Sequence, residues 1–352
     1  MITILGAGNI GYAIADDLSQ DFDLSVIDIS KKSLNRIPVT KKYLGDVTKN
    51  KEIIEKSDLI ISALPGSVSF DIISKLIRMK KNVIDVSYMP EDPFRFERSV
   101  KENKTLLIPD AGFAPGLSNV IAGHLYKTMK KIEKIEIYVA GLPLKKIPPL
   151  YYTVTWNVEG LIDEYTRPAR IIKNNKIVSL DPLENIEPFC ISSIGSFESF
   201  YSDGLRTMLK TFKIKNIFEK TLRYPQHLEK IKLLKDMGYF SDEKIDNCVP
   251  RELSIKLFKK LEIETEDLSI LLVRGSNKNT KDIFVYDRYD KMKHMTSMAR
   301  MTGYTAAIIS RIAIEEEFQG LIPPEKLGFN LKIFEKIKNE MKKRGIFLNE
   351  TI

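Results

Sequence analysis

At 352 residues the chain is long enough for two domains, and a composition of 43% hydrophobic and 29% charged residues is ordinary for a soluble globular protein. No apolar stretch approaches the roughly 18 residues that cross a bilayer, and the first strand begins at once, so we expect a cytoplasmic protein without a membrane segment or signal peptide. The net charge of +8 is spread along the chain and interleaved with acids, which argues against a nucleic-acid partner.

The N-terminus carries the pattern of a dinucleotide-binding turn. An apolar run with strand character, residues 2–5, leads directly into a complete G-x-G-x-x-G that is followed by helix-forming residues. The first glycine of this motif permits a tight turn, the second lets a pyrophosphate approach the backbone at a helix N-terminus, and the third lets the helix pack close to the strand. The predicted cofactor contacts are Gly6, Gly8, Asn9, Ile10 and Gly11.

A second apolar strand, residues 24–27, ends on Asp28. This acid stands about 20 residues after the middle glycine, where a ribose-binding acid is expected. It would accept hydrogen bonds from a ribose 2′-hydroxyl and repel a 2′-phosphate, which favours NAD over NADP. Lys31 and Lys32 lie nearby in the sequence and could attract a phosphate, so NADP stays open as the cofactor.

The next segments alternate between strands and helices. A short strand near 42–44 precedes Asp46, which is expected to border the adenine, and a helix is expected at 51–56. Three further apolar runs are typical of parallel strands buried on both faces, namely 59–64, 82–86 and 105–109. The alternation predicts an α/β fold with a Rossmann domain and a doubly wound sheet.

The residues that follow these strands are expected to line one crevice, because ligands of open α/β sheets lie beyond the carboxyl ends of the strands. The predicted cofactor contacts there are Ala63, Leu64, Pro65 and Ser87. The segment 110–116 combines two glycines and a proline before an apolar helix, which suits a sharp change of direction. We place the crossover between domains in this segment.

Beyond the crossover the pattern changes. The segments 135–139, 152–156 and 282–286 alternate between apolar and polar residues, which predicts a mostly antiparallel sheet with one buried face. Helices are expected at 205–212, 228–237 and 300–317. The sequence has neither a nucleophile-elbow motif nor a zinc-like spacing of His or Cys, so it predicts neither hydrolysis nor a metal site.

Several segments are diagnostic through their order along the chain. The first are the glycine motif 6–11, Asp85-Val86-Ser87-Tyr88, the segment 110–119, and Gly141-Leu142-Pro143 with 149–151 and Trp156 downstream. The later ones are Glu198 with 202–205, then 221–227, 236–240, and 298–300 with Thr302-Gly303. In this order they resemble the saccharopine dehydrogenase superfamily, and within it the L-lysine 6-dehydrogenases. The chain departs from the family pattern at Ala140, Asn157 and Gln226.

The resemblance implies a Rossmann domain over residues 1–116, an α+β substrate and dimerisation domain over 117–297, and C-terminal helices over 298–352 that return to the Rossmann domain. The second domain would be similar to the C-terminal domain of glyceraldehyde-3-phosphate dehydrogenase. The resemblance also implies a homodimer or other homo-oligomer. Its chemistry would be oxidation or reduction at a carbon that bears nitrogen, with NAD as the cofactor and a small-molecule amino acid as the substrate.

Oxidising an amine requires a neutral nitrogen when hydride leaves the carbon, yet a lysine-like amine has a pKa of about 10.4 in water. A base is therefore needed. His227 is the leading candidate because imidazole exchanges protons near neutral pH and its Arg-Tyr-Pro-x-His setting resembles a substrate loop, although a histidine at a helix start can also be structural. Tyr88, at a strand end, is expected to donate a proton or orient the amine, with packing as the alternative.

Other residues are expected to bind the substrate. Arg223 suits an α-carboxylate because its planar guanidinium matches two oxygens, with a salt bridge to Glu198 or another acid as the alternative. Glu198 suits the substrate ammonium, whereas Asp203 could either bind substrate or cap the helix predicted after it. Tyr224 and Gly112 complete the predicted set.

Three functions follow from these residues. The favoured one, which rests on the resemblance, is NAD-dependent oxidative deamination of L-lysine. The second is a reductase of the saccharopine or carboxynorspermidine type, which joins an amine to a carbonyl compound. The third is a non-catalytic NAD-binding sensor or scaffold, suggested by the departures at Ala140, Asn157 and Gln226.

Overall fold

The computed structural model describes residues 1–154, 157–192, 194–261 and 265–351. The chain forms two compact units: Met1–Lys130 with Asp290–Leu348, and Lys131–Tyr289 with Asn349–Ile352. The first unit is therefore assembled from both ends of the sequence. Within the described ranges, no helix is long and apolar enough to cross a membrane.

The N-terminal stretch alternates strands and helices. Its strands are β1 (Ile2–Leu5), β2 (Leu24–Asp28), β3 (Lys41–Leu44), β4 (Leu59–Ser62), β5 (Asn82–Asp85) and β6 (Leu106–Ile108). Its helices are α1 (Asn9–Leu18), α2 (Lys31–Arg36), α3 (Lys51–Lys56), α4 (Gly66–Arg78), α5 (Glu97–Asn103) and α6 (Leu117–Thr128), with a 3-10 turn at Pro93–Phe96.

These strands form a parallel sheet in the order β3-β2-β1-β4-β5-β6. β1, β4 and β6 are buried along their whole length, as expected of parallel strands covered on both faces. The strand order reverses beside β1, which makes the carboxyl ends of β1 and β4 the switch point where such sheets bind ligands. The predicted Rossmann domain is confirmed.

The second unit contains the middle of the chain. Its strands there are β7 (Lys134–Pro143), β8 (Ala169–Lys173), β9 (Lys176–Leu180), β10 (Glu187–Ile191), β11 (Gly195–Tyr201), β12 (Asn216–Arg223), β13 (Asp267–Ser276) and β14 (Thr280–Arg288). Its helices are α7 (Val158–Thr166), α8 (Met208–Thr211), α9 (His227–Asp236) and α10 (Pro250–Lys259).

The sheet of this unit runs β10-β11-β12-β7-β13-β14, with β8 and β9 joined at the side of β12. Its neighbours pair antiparallel, except that β12 runs parallel to β7. The unit is therefore α+β with a mixed sheet, mostly antiparallel as predicted. This parallel pair joins strands far apart in the sequence, which no local pattern reveals.

Two predicted elements of this unit differ in the structure. Tyr152, Thr153 and Val154 form no strand, and Thr155 and Trp156 of that predicted strand lie outside the described residues. Tyr152 is buried with its ring 5.2 Å from that of His227, so the loop packs its apolar side chain without joining the sheet. The helix predicted at 205–212 shortens to α8, because Arg206 has a left-handed φ of 51° that a helix cannot contain.

The C-terminal stretch completes both units. It forms α11 (Ser297–Glu315), β15 (Gly320–Leu321), α12 (Pro324–Phe329), α13 (Leu331–Lys343) and β16 (Leu348–Thr351). β15 adds to the parallel sheet beside β6, and β16 lies next to β14. α11 packs on α1, and α12 packs on α6. α6 therefore belongs to the first unit, whose boundaries at Lys130 and Asp290 differ from the predicted divisions at 116 and 297.

Candidate functional site

The glycine motif forms a tight turn between β1 and α1. Gly6 has φ +99°, and a Cβ there would lie 2.5 Å from the Ala63 carbonyl oxygen. A Cβ at Gly11 would lie 2.0 Å from the carbonyl oxygen of Gly6, so helix and strand are packed too closely for any side chain. Gly8, at the N-cap of α1, has nothing within 4 Å of its Cβ position. This open face at a helix N-terminus fits a pyrophosphate.

Asp28 ties the end of β2 to this turn. Its Oδ2 accepts a hydrogen bond from the Ala7 backbone N–H at 2.6 Å, and its Oδ1 accepts one from the Ser30 N–H at 2.6 Å. Arg36, which the sequence pattern did not single out, donates from Nη2 to Asn9 Oδ1 at 3.3 Å. An acid that suits a ribose hydroxyl and a cation that suits a phosphate thus flank the glycine turn.

The other predicted cofactor contacts occupy the loops after the strands. Asp46 is exposed, and its Oδ1 accepts hydrogen bonds from the Thr48 hydroxyl and from the backbone N–H groups of Thr48 and Lys49. These bonds, the Thr48 hydroxyl first, hold the pKa of Asp46 below its usual range, so this carboxylate organises its own turn. Ala63 and Leu64 are half-buried and Pro65 is exposed, directly before α4.

The loop after β5 is packed around Tyr88 and Ser87. Tyr88 is half-buried, and its carbonyl oxygen lies 2.4 Å from the Cβ position of Gly66, so the start of α4 has room for that backbone only because Gly66 lacks a side chain. The Ser87 hydroxyl donates to Asp85 Oδ2 at 2.6 Å. Gly112 is buried, with its Cβ position 3.2 Å from Thr302 Cγ2 in α11.

In the second unit, Arg223 lies at the end of β12 and is buried. Its Nη2 forms an ion pair with Glu164 Oε2, its Nε donates to the Tyr165 hydroxyl at 3.0 Å, and its Nη1 donates to the Leu222 carbonyl at 3.1 Å. Both Glu164 and Tyr165 come from α7, and Thr221 donates to the second Glu164 oxygen. The alternative of a salt bridge is thus realised, with Glu164 as the acid.

His227 joins the same network from the start of α9. Its Nε2 lies 2.8 Å from the Tyr165 hydroxyl and its Nδ1 lies 2.8 Å from the Leu150 carbonyl oxygen. Because the Tyr165 oxygen already accepts from Arg223, its O–H donates to Nε2, and the imidazole proton on Nδ1 donates to Leu150. Burial, together with the Arg223 charge, lowers the pKa of His227 to about 3, so the ring is neutral.

The structure places the remaining predicted substrate contacts at different points of this sheet. Glu198 is directly opposite Arg223 in the β11–β12 ladder, and its Oε1 accepts from the Gln226 N–H at 3.0 Å. Tyr224 donates its hydroxyl to the Pro143 carbonyl at 2.8 Å. Asp203 is buried against Arg170, which donates from Nε at 2.9 Å and from Nη2 at 2.7 Å. It caps no helix, since α8 begins at Met208.

The network therefore joins Arg223 and His227 through Tyr165 and Glu164, two partners that the sequence did not indicate. Those partners lie on a helix remote in sequence from β12, and no spacing rule links the two. Glu198 lies opposite Arg223 in the ladder without a side-chain hydrogen bond to this network among the described residues. Across the described ranges, no group of three or more His, Cys, Asp or Glu side chains is arranged to hold a metal ion.

Two family models account for nearly all of the chain. Residues 2–108 match the saccharopine dehydrogenase NADP binding domain, and residues 112–346 match the saccharopine dehydrogenase C-terminal domain. The chain belongs to the saccharopine dehydrogenase family. The predicted superfamily is confirmed, and so is a nicotinamide dinucleotide, NAD or NADP, as its cofactor, which the open face at Gly8 fits.

Curated relatives agree with this assignment. The chain is 24% identical over 255 residues to saccharopine dehydrogenase [NADP(+), L-glutamate-forming] of Pyricularia oryzae, which covers 68% of this chain and 56% of that enzyme. It is 23% identical to the Saccharomyces cerevisiae enzyme of the same name over 264 residues, 69% of this chain and 59% of the relative. The chain thus spans less than two thirds of the length of these relatives.

Solved structures share the whole fold. Apo saccharopine dehydrogenase (L-Glu forming) from Saccharomyces cerevisiae superposes with a TM-score of 0.76 at 19% identity, covering 99% of both chains. Homospermidine synthase from Legionella pneumophila, solved in complex with NAD, superposes with a TM-score of 0.73 at 15% identity and covers 99% of this chain and 90% of that one. At these identities the likeness establishes the fold.

Proposed function

We propose that this protein is an NAD(P)-dependent oxidoreductase that acts on the amine-bearing carbon of a basic amino acid, with oxidative deamination of L-lysine as the specific reaction. The observation that carries the proposal is the match of residues 2–108 and 112–346 to the two saccharopine dehydrogenase family models, together with a glycine turn shaped for a pyrophosphate. When bound, the dinucleotide supplies the hydride acceptor or donor. The chain supplies binding and control of charge.

Glu198 is our candidate for the substrate ammonium. It is half-buried, one carboxylate oxygen accepts from the Gln226 N–H, and the other, Oε2, has no hydrogen-bond partner among the described residues. A buried acceptor without a donor is costly, and an ammonium group would supply that donor. Glu198→Gln is expected to raise the KM for the amine substrate because the amide loses the charge and half of the acceptor capacity.

Arg223 and His227 support the proposal as positioning residues. The guanidinium is already neutralised by Glu164, so a substrate carboxylate could bind it only by displacing an existing acceptor. Both ring nitrogens of His227 are also engaged, which leaves the neutral ring to hold Tyr165 and the Leu150 carbonyl in place. We expect His227→Gln to change KM more than kcat and to leave the pH profile of kcat where it is in the unmodified protein.

A second candidate reaction is the saccharopine type, in which the substrate nitrogen joins two carboxylate-bearing halves. Two lysines favour it: the Nζ of Lys146 and the Nζ of Lys230 lie 5.9 Å and 3.4 Å from the centre of the Tyr151 ring. Tyr151 follows Leu150, the residue whose carbonyl His227 binds. These cations could meet a second carboxylate, which L-lysine lacks.

The deciding experiment is the absorbance of the reduced nicotinamide at 340 nm with NAD+ and NADP+ in parallel, using L-lysine and saccharopine as substrates. Turnover of L-lysine with release of ammonia supports the first reaction. Turnover of saccharopine with formation of L-glutamate, weakened by Lys146→Met and Lys230→Met, supports the second. The protein could instead bind the cofactor but turn over neither these substrates nor, in the reverse direction, mixtures of an amine and a keto acid. That outcome would overturn both proposed reactions and favour a non-catalytic NAD-binding protein. Glu184→Gln, an exposed change in the same unit, is the matched control for Glu198→Gln.

A further inference from the structure

The carboxyl ends of β4, β5 and β6 hold a group of buried polar side chains. Ser62 ends β4 and is the register partner of Asp85, which ends β5. Asp110 follows β6, and the neighbouring Ala111 N–H donates to the Asp85 carbonyl at 2.8 Å. Asp85, Ser62 and Asp110 are all fully buried. They therefore lie at the edge of the sheet beyond which such folds bind their ligands.

Asp85 is buried here with one hydroxyl partner, Ser87, and a like charge, Asp110. Its Oδ2 accepts from the Ser87 hydroxyl, whereas its Oδ1 and the neighbouring Ser62 Oγ have no hydrogen-bond partner within the described residues. A buried carboxylate is normally paired with a cation, because burial without one strongly favours the protonated form. Burial raises the pKa of Asp85 to about 7; the hydrogen bond from the Ser87 hydroxyl opposes this rise and the charge of Asp110 adds to it.

The charged groups on the elements around β5 do not neutralise Asp85. Asp110, after β6, carries the same charge. The charged residues of α4, Asp71, Lys75 and Arg78, are exposed. From α11, Arg300 forms an ion pair with Asp290. The missing positive charge is thus one that a ligand could bring to this edge of the sheet.

We propose that Asp85 responds to the redox state of the cofactor: it ionises when the oxidised, cationic nicotinamide ring is bound and takes up a proton when the neutral, reduced ring replaces it. The proposal rests on the cofactor site of the family and not on the substrate. Because Asp85 is fully buried, its charge interacts with the charge of the ring through the low-dielectric interior of the protein. Asp85 is therefore a positioning residue. Binding of the oxidised dinucleotide accordingly releases a proton near neutral pH, and binding of the reduced form does not.

The proposal fixes the direction in which the affinity for each form of the cofactor changes with pH. A bound cation lowers the pKa of Asp85, so affinity for the oxidised dinucleotide rises as the pH increases through the neutral range, while affinity for the reduced one stays level or falls. Both forms of the cofactor carry the same phosphates and adenine, so the effect of their titration cancels in the ratio of the two dissociation constants. A difference of one unit in the pKa of Asp85 between the two complexes changes this ratio about tenfold.

The test measures dissociation constants of NAD+ and NADH, and in parallel of NADP+ and NADPH, by calorimetry between pH 6 and 8.5 without any amine substrate. We expect the ratio of the reduced to the oxidised constant to rise about tenfold with pH in the unmodified protein. It should be flat in Asp85→Asn, and its midpoint should move to higher pH in Ser87→Ala, which removes a hydrogen bond that favours the carboxylate. Asp71→Asn, an exposed change in α4, should behave like the unmodified protein.

A ratio that does not change with pH in the unmodified protein would overturn the proposal, as would a pH-dependent ratio that survives in Asp85→Asn. Should Asp85→Asn fail to fold, the Ser87→Ala midpoint decides alone, and an unmoved midpoint counts against the proposal. Because no substrate is present, absence of lysine oxidation would contradict the proposed function and leave this result intact.

Discussion

Glu219, in β12, has a buried carboxyl group that lies near other acids. Its Oε1 accepts from the Ser202 hydroxyl at 3.0 Å, and the Cβ position of Gly204 lies 1.8 Å from that oxygen, so the backbone is closed over it. Burial raises the pKa of Glu219 to about 8, and the nearby charges of Glu164 and Asp203 add to the rise. The folded protein therefore keeps this proton at pH values where the unfolded chain has lost it.

Because the pKa of Glu219 is higher in the folded protein, the free energy of unfolding falls as the pH rises from the unfolded pKa of 4.5 to the folded value of about 8. The fall is on the order of 1 kcal/mol per pH unit. Glu219→Gln keeps the shape and removes the titration. We expect the variant to gain stability over the unmodified protein as the pH rises from 5 to 8, measured by urea unfolding. Glu184→Gln, which is exposed, provides the baseline, and an equal slope in both variants would contradict the assignment.

Gln226 occupies a position that suits glycine. It precedes α9 with φ 75°, in the left-handed region, where a side chain costs energy that glycine avoids. A glycine would adopt this φ without strain, so the left-handed conformation singles out one position where this chain departs from the pattern that the resemblance implies. We expect Gln226→Gly to raise the midpoint of thermal unfolding, with a gain of about 0.5–1 kcal/mol. Gln226→Ala, which keeps the strained φ, should show no gain, and a gain of the same size in both would rule out this explanation.

At the scale of elements, the packing of α11 on α1 depends on Gly303 of α11. A Cβ at Gly303 would lie 2.6 Å from the Ala13 Cβ and 3.1 Å from the Ile10 carbonyl oxygen. Gly303→Ala must therefore push the helices apart, at a cost of about 1–3 kcal/mol. Gly8→Ala meets no atom within 4 Å, yet it would fill the face proposed for the pyrophosphate.

The two substitutions should thus separate packing from binding. We expect Gly303→Ala to lower the unfolding midpoint and Gly8→Ala to leave it unchanged while weakening NAD(P) binding at least tenfold. Thermal unfolding with and without cofactor measures both quantities. Unchanged cofactor affinity in Gly8→Ala would contradict the placement of the pyrophosphate, and unchanged stability in Gly303→Ala would contradict the close approach of the helices.

The sequence predicted some elements and site residues and could not predict others. The glycine turn, the strands β1, β4 and β5 and the acid Asp28 follow from spacing within a few residues, and the structure places them as the motif requires. The partners of Arg223 and His227 could not be predicted, because Glu164 and Tyr165 reach them from a helix that tertiary packing alone brings beside β12. Asp85 was visible at a strand end, but only burial shows that its charge is unbalanced.

At the scale of the whole molecule, the cofactor-binding unit is discontinuous in sequence. The family's NADP binding domain covers residues 2–108, yet the first compact unit also contains Asp290–Leu348. Most residues of α11, which packs on α1, are buried, and the guanidinium of Arg344, after α13, binds both oxygens of Asp17 in α1. Arg311 of α11 forms a further ion pair with Asp17. The C-terminal helices therefore cover the back of the helix that presents the glycine turn.

A chain truncated after residue 289 would keep every residue of the glycine motif but would expose the apolar face of α1 and leave Asp17 without its two arginines. Losing the partners of a largely buried charge costs about 3–5 kcal/mol, and the lost apolar burial adds to this. We expect the 1–289 chain to lose NAD(P) binding in calorimetry, while residues 131–289 alone keep the far-ultraviolet circular dichroism of their mixed sheet. Restoring residues 290–352 as a separate chain should recover binding. Full affinity in the 1–289 chain would show that the turn is held by its own Rossmann sheet alone.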